Sequence, residues 1–125
     1  MIKLPLITLP HQNLRKKSSK IHIIDKSVID LVKKMEETTL DWEASREHEL
    51  GVALAAAQIN DLRRVVVIRN NFEDKSDKTF KVLINPKITK LEGKIEEDYE
   101  GCLSIKEIYG LVPRHTKVRI KAQDI

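Results

Sequence analysis

The chain has one cysteine, Cys102, in the stretch E-G-C-L-S at residues 100–104. A lone thiol is either a small buried hydrophobe or a reactive ligand. Gly101 beside it lets the backbone approach something closely or adopt a positive φ. Glu96, Glu97, Asp98 and Glu100 crowd the approach with negative charge. Carboxylates raise a thiol's pKa unless a cation is near, and a metal ion is the simplest such cation because it deprotonates the thiol outright. Gln58 raises a parallel question at the end of the apolar run G-V-A-L-A-A-A-Q, residues 51–58. Its carboxamide either faces solvent or finds partners, because a buried unpaired amide is costly. The functional alternative is a neutral donor aimed at a developing oxyanion.

These two side chains need elements to carry them. Val28, Leu31, Val32 and Met35 recur at i, i+3, i+4 and i+7, which predicts a helix from about Asp25 into the low forties, with Asp25 or Ser27 as N-cap. The charged stretch D-W-E-A-S-R-E-H-E-L reads as the frayed helix end and a loop. For residues 51–59 a buried helical turn and a buried strand are equally compatible with the pattern. R-R-V-V-V-I-R-N, residues 63–70, is β-branched and predicts a central strand. A polar loop follows, then a strand in T-F-K-V-L-I-N-P-K-I with Pro86 near its end or at an edge. Gly93 predicts a turn leading into an acidic arm, and T-K-V-R-I-K-A-Q alternates as a half-buried strand. The expected class is α+β: an N-terminal helix packed on a mostly antiparallel β-sheet, in one domain spanning 1–125.

Composition narrows the classes. At 125 residues, 41% apolar and 34% charged, the chain suits a single globular domain. One cysteine excludes an intrachain disulfide. The opening M-I-K-L-P-L-I-T-L-P is broken by Lys3, Pro5 and Pro10 and has no continuous signal-peptide core. No window reaches the ~18 apolar residues of a membrane span, so no membrane partner and a cytoplasmic location are expected. The net charge of +4 is mild, and its one compact basic cluster is Arg15 to Lys20. That cluster reads as a solvated loop or, more sharply, as a phosphate-backbone contact on RNA or the ribosome. No aromatic residues interleave with it, so no specific nucleic-acid platform is expected.

Together, G-V-A-L-A-A-A-Q and E-G-C-L-S resemble the first two signature motifs of the peptide deformylases. I-T-L-P-H-Q-N-L-R-K-K-S, V-V-V-I-R-N, V-L-I-N-P-K-I and Y-G-L-V-P-R are similar to that family's framework in the same order. The resemblance implies a metal-dependent hydrolase that removes the formyl group from the N-terminal methionine of new proteins. Its partners would be N-formylmethionyl nascent peptides, with proximity to the ribosome. By the same resemblance Cys102 ligates a divalent metal, iron(II) in the first place, with zinc, nickel or cobalt substituting. Gln58 and the backbone N–H of Leu103 form the oxyanion hole. Val52 and Ala53 pair with the substrate peptide as an added strand, Val52 also walling the methionine pocket. Glu100 and Gly101 serve as local anchor and close-approach residue, and Tyr109 contacts the substrate or shapes the cleft.

Departures from the family pattern are clear. The third motif, a helical H-E-x-x-H that supplies two imidazoles and a glutamate base, is absent from these 125 residues, whose histidines are His11, His22, His48 and His115. H-E-L-G-V from His48 has Val52 where the second ligand would stand. Ala53 stands where the family usually has glycine, Lys106 where it commonly has proline, and the segment before Gly51 looks longer than usual. The expectation is a deformylase-like fold truncated before the metal-binding helix, hence a fragment inactive alone, with an exposed apolar sheet face and a tendency to associate. Two alternatives stand beside it: a non-catalytic deformylase-like protein that binds a peptide or partner, and a small basic RNA- or ribosome-binding protein.

Overall fold

The computed structural model describes residues 6–44 and 52–125, with backbone only for residues 106 and 107. Helix α1 spans Lys26–Ala44. Asp25 caps it: Oδ1 accepts from the N–H of Ser27 at 3.0 Å and of Val28 at 3.4 Å. Of the two candidate caps, Asp25 takes the role, and the Ser27 hydroxyl donates to the same carboxylate at 2.6 Å. Val28, Leu31, Val32 and Met35 are buried as their spacing requires. Thr38 and Thr39 bury on the same face by donating to the carbonyls of Lys34 and Met35, at 2.7 and 2.9 Å, which satisfies hydroxyls that would otherwise be costly inside.

The helix packs on a four-stranded antiparallel sheet in the order β1-β2-β3-β4. Strand β1 is Ala53–Ala55, β2 is Val65–Arg69, β3 is Phe80–Cys102 and β4 is Ile105–Gln123. Both readings of residues 51–59 hold in part, since β1 passes directly into a 3-10 turn over Ala56–Ile59. Gly51 and His48 lie outside the described residues. In β2 the side chains at 65, 67 and 69 turn inward, and Val65, Val67, Leu54, Val82 and Ile84 form the core against α1. No helix among the described residues is long and apolar enough to cross a membrane.

Three sequence expectations are corrected in the β3–β4 hairpin. Pro86 does not end a strand, since β3 runs on for 23 residues, but the edge alternative holds: pairing with β2 stops at Ile84. The register shifts between Ile84 and Lys87, and Asn85 there has φ 53°. A bulge leaves a residue out of the ladder, so proline's missing N–H breaks no pairing. Gly93 is not a turn between strands either. It lies inside β3 with φ 79°, within the third register shift, between Glu92 and Ile95. A Cβ at Gly93 would collide with the Thr116 hydroxyl. The reversal comes later, at Leu103 and Ser104, between the paired Cys102 and Ile105. Finally, the 117–122 segment is a strand but not half-buried: Val118 and Ile120 are 48% and 44% exposed. Their cross-strand partners Leu91 and Ile88 are exposed too, so apolar side chains face outward along the hairpin.

Candidate functional site

The bulges matter because they bend the hairpin. Each inserted residue raises local twist and re-aims the strand, and the hairpin tip returns to the body of the molecule. There Leu103 packs against the core and Ser104 is buried. The result joins the two residues singled out in the sequence. Gln58 Nε2 lies 3.6 Å from Cys102 Sγ and donates to Ser104 Oγ at 3.1 Å. Its Oε1 accepts from the Ala55 N–H at 2.9 Å. This last bond fixes which way the amide points: oxygen toward β1, nitrogen toward the thiol. Gln58 is therefore neither solvent-facing nor unpaired, and Cys102 is exposed rather than core filling.

The backbone supports both halves. Ile7 N–H donates to the Gln58 carbonyl at 2.8 Å, and Leu9 N–H to the Ser104 carbonyl at 3.2 Å. One extended segment thus braces the 3-10 turn and the hairpin tip together. Ser104 had no role assigned from sequence. A serine in a turn reads as ordinary turn chemistry, and only its 3% exposure beside a glutamine donor reveals the contact.

Val52 and Ala53 sit at the open edge of the sheet. Arg69 N–H donates to the Val52 carbonyl at 2.7 Å, and Leu54 pairs with Val67. Antiparallel ladders alternate, so Ala53, between these bonded positions, turns its N–H and C=O away from β2. Such an edge accepts a further strand. Val52 is 40% exposed beside it. The methyl at Ala53 is small, so an incoming backbone meets little side chain.

Gly101 is used for close approach. A Cβ there would lie 2.5 Å from the Tyr109 ring, which covers the backbone next to Cys102. Glu100 is an anchor in the literal sense: Arg114 Nε and Nη2 donate to its two oxygens at 2.6 and 2.7 Å. This bidentate pair holds the Glu100 carboxyl below the usual glutamate range. The negative charge nearest Cys102 in sequence is thereby matched by Arg114 on β4 rather than pressed on the thiol. Glu96, Glu97 and Asp98 are exposed farther along β3. Lys106 lies among the residues whose side chains are outside the described set.

The donor set can be tested against a metal ion. Cys102 is an accessible soft donor, but no group of three His, Cys, Asp or Glu side chains able to hold an ion occurs among the described residues. Catalytic sites of the zinc type use three protein ligands plus an open position. The described residues provide one, so they do not hold the ion by themselves. What they do provide is a polarising arrangement: a carboxamide N–H donor fixed beside a thiol, at the foot of a strand edge.

Comparison with known proteins agrees with this architecture. The polypeptide deformylase family model matches residues 3–125. A peptide deformylase of Chromohalobacter salexigens is 38% identical over 124 residues, 99% of this chain and 67% of that one. Another from Desulfotalea psychrophila is 33% identical over 125 residues, covering 69% of its own length. Among solved structures, a peptide deformylase from Legionella pneumophila superposes with a TM-score of 0.83 at 32% identity, over 98% of this chain and 66% of that chain. One from Synechococcus elongatus in complex with actinonin gives 0.85 at 31% identity, over 97% and 61%. The chain spans about two thirds of the length of these relatives. Fold and site together define a hydrolase scaffold whose family depends on a metal. The chain belongs to the polypeptide deformylase family.

Proposed function

We propose that these residues form the carbonyl-polarising half of a peptide deformylase, acting on the N-formyl group of methionine at the start of nascent proteins. The observation that carries this reading is the approach of Gln58 Nε2 to Cys102 Sγ at 3.6 Å, across 44 positions of sequence. In this reading a peptide adds to β1 through Ala53, with Val52 beside its methionine. The formyl oxygen sits against Gln58 Nε2 and the Leu103 N–H, which stabilise the charge that develops there. Gly101 and Tyr109 shape the opposite wall, and Arg114 keeps Glu100 and the hairpin tip in place. Cys102 supplies a thiolate to a divalent ion, iron(II) by family resemblance, whose Lewis acidity completes the chemistry when bound. By the family resemblance two imidazoles and a glutamate base complete the set, and the described residues do not supply that cluster. The substrate puts the enzyme in the cytoplasm, near the ribosome.

The incomplete donor set also favours a second reading, a deformylase-like peptide binder without turnover. Formate release separates the two. With iron(II) under anaerobic conditions, the 125-residue chain should release no formate from a formyl-methionyl tripeptide. A product of the same gene that reads through to an H-E-x-x-H should release it, and Gln58→Ala in that product should cut kcat about 100-fold. Formate from the 125-residue chain would overturn the fragment reading. A complete donor set without formate would leave only the binder.

A further inference from the structure

At the other end of the β3–β4 hairpin from the reversal lies an open cleft of about 540 Å³ that shares no residue with the Gln58–Cys102 site. Lys20, His22, Arg64, Lys87 and Lys121 line it, around Asn85, and no carboxylate does. We propose that this cleft binds a phosphoanion.

Its frame is rigid before any ligand arrives. Asn85, in the left-handed conformation, accepts from Ile21 N–H at 2.8 Å and donates to the Ile21 carbonyl at 2.7 Å and to Gln123 Oε1 at 2.9 Å. That one side chain ties the segment carrying Lys20 and His22 to the end of β4. Arg64 is held as well: Nε and Nη2 donate to the Pro86 carbonyl at 3.2 and 2.8 Å. Both hydrogens on Nη1 make no bond among the described residues. A guanidinium fixed at one edge and open at the other is suited to phosphate geometry. The bulge that accommodates Pro86 is what places its carbonyl there.

The lysines add an independent argument. Lys87 and Lys121 are direct cross-strand partners. Like charges in that position repel and destabilise the pair. Neither forms an ion pair with a described residue, and neither does Lys20. The neighbouring cations on β4 behave differently: Lys117 sits opposite Glu92, and Arg119 pairs with Glu92 at 3.4 Å. Lys117 and Arg119 thus each have a carboxylate of β3 nearby, whereas Lys121 faces Lys87. Lys20 also ends the basic cluster of Arg15 to Lys20 that the deformylase reading leaves unused. No Phe, Tyr or Trp lines the cleft and His22 carries its one ring, so recognition falls on phosphate before a base.

Tripolyphosphate titrated calorimetrically into the 125-residue chain at low salt tests this. One site per chain is expected, weakened steeply by added chloride. An exposed ion pair is worth a factor of about two to five, so Lys87→Gln with Lys121→Gln should weaken binding about tenfold. Lys20→Gln alone should weaken it by about twofold to fivefold and covers the case of a poorly folded double variant. Lys117→Gln should leave it within about twofold, since that lysine already faces Glu92. A single-stranded oligouridylate distinguishes the source. Tighter binding with the same lysine dependence assigns the site to a phosphodiester backbone, and tripolyphosphate alone assigns it to a free oligophosphate. No saturable binding of either probe, or equal loss in Lys117→Gln, overturns the proposal.

Discussion

Replacing Glu43 with glutamine should remove a large part of the chain's stability. Glu43 and Arg69 are each 1% exposed, and their ion pair spans α1 and β2. Arg69 Nη1 donates to both Glu43 oxygens at 2.8 and 2.9 Å. Nε and Nη2 donate to the Asp77 carbonyl at 3.2 and 2.8 Å, and Nη2 also to that of Lys75 at 3.2 Å. The guanidinium's five N–H groups are therefore all used, and Phe80 lies 5.5 Å from its centre. Glu43→Gln preserves the shape but strands a buried cation, which costs about 3–5 kcal/mol. Total stability of a domain this size is about 5–15 kcal/mol. Urea denaturation followed by circular dichroism should show the midpoint falling with an unchanged slope. The double variant Glu43→Leu with Arg69→Met should recover much of the loss, because desolvation offsets most of what the pair gains. A Glu43→Gln loss below about 1 kcal/mol, the value of an exposed pair, would refute the reasoning. Since Arg69 N–H also holds the Val52 carbonyl, the same substitution should loosen the β1 edge.

Three further outcomes follow from the site. Ser104→Ala should lower stability by about 1 kcal/mol, since it removes the acceptor for Gln58 Nε2, and should speed solvent exchange of the Gln58 side-chain amide in NMR spectra. Unchanged exchange would mean that Ser104 does not position the amide. Gly93→Ala should cost about 1–2 kcal/mol from the positive φ alone, read as a lower melting temperature, whatever rotamer Thr116 adopts. Glu100 titrates low because Arg114 donates to its charged form, so the pair contributes to stability above the ordinary glutamate range and loses that contribution as pH falls through the depressed folded value. Carboxyl NMR titration should find that low midpoint, and Arg114→Gln should return it upward; a midpoint indifferent to Arg114 would contradict the assignment.

Much of this was legible in the residues. The helix followed from one apolar stripe and an aspartate cap, and the β2 strand from its β-branched run. Cys102 and Gln58 stood out as questions in their segments, and the resemblance to deformylases supplied the roles expected of them. The path that brings them together was not legible. Periodicity tracks side chains along an unbroken ladder, and every bulge in β3 inserts a residue that flips the faces beyond it. Gly93 and Pro86 therefore resembled strand ends, when they are bends within one strand. Arg69 was hidden for another reason: it shares parity with Val65 and Val67, which does place it inward, but its partner lies 26 positions earlier on a helix. Nothing local announces such a pairing. Ser104 was masked by the ordinary frequency of serine in turns.

The two amides of Ile7 and Leu9 fasten the turn that carries the carboxamide and the tip that carries the thiol to a single length of chain. The spacing of the reactive pair is consequently a three-body affair, set as much by this lashing as by the sheet. An N-methyl group or proline introduced at position 7 or 9 would cut one fastening while leaving every side chain of the pair untouched.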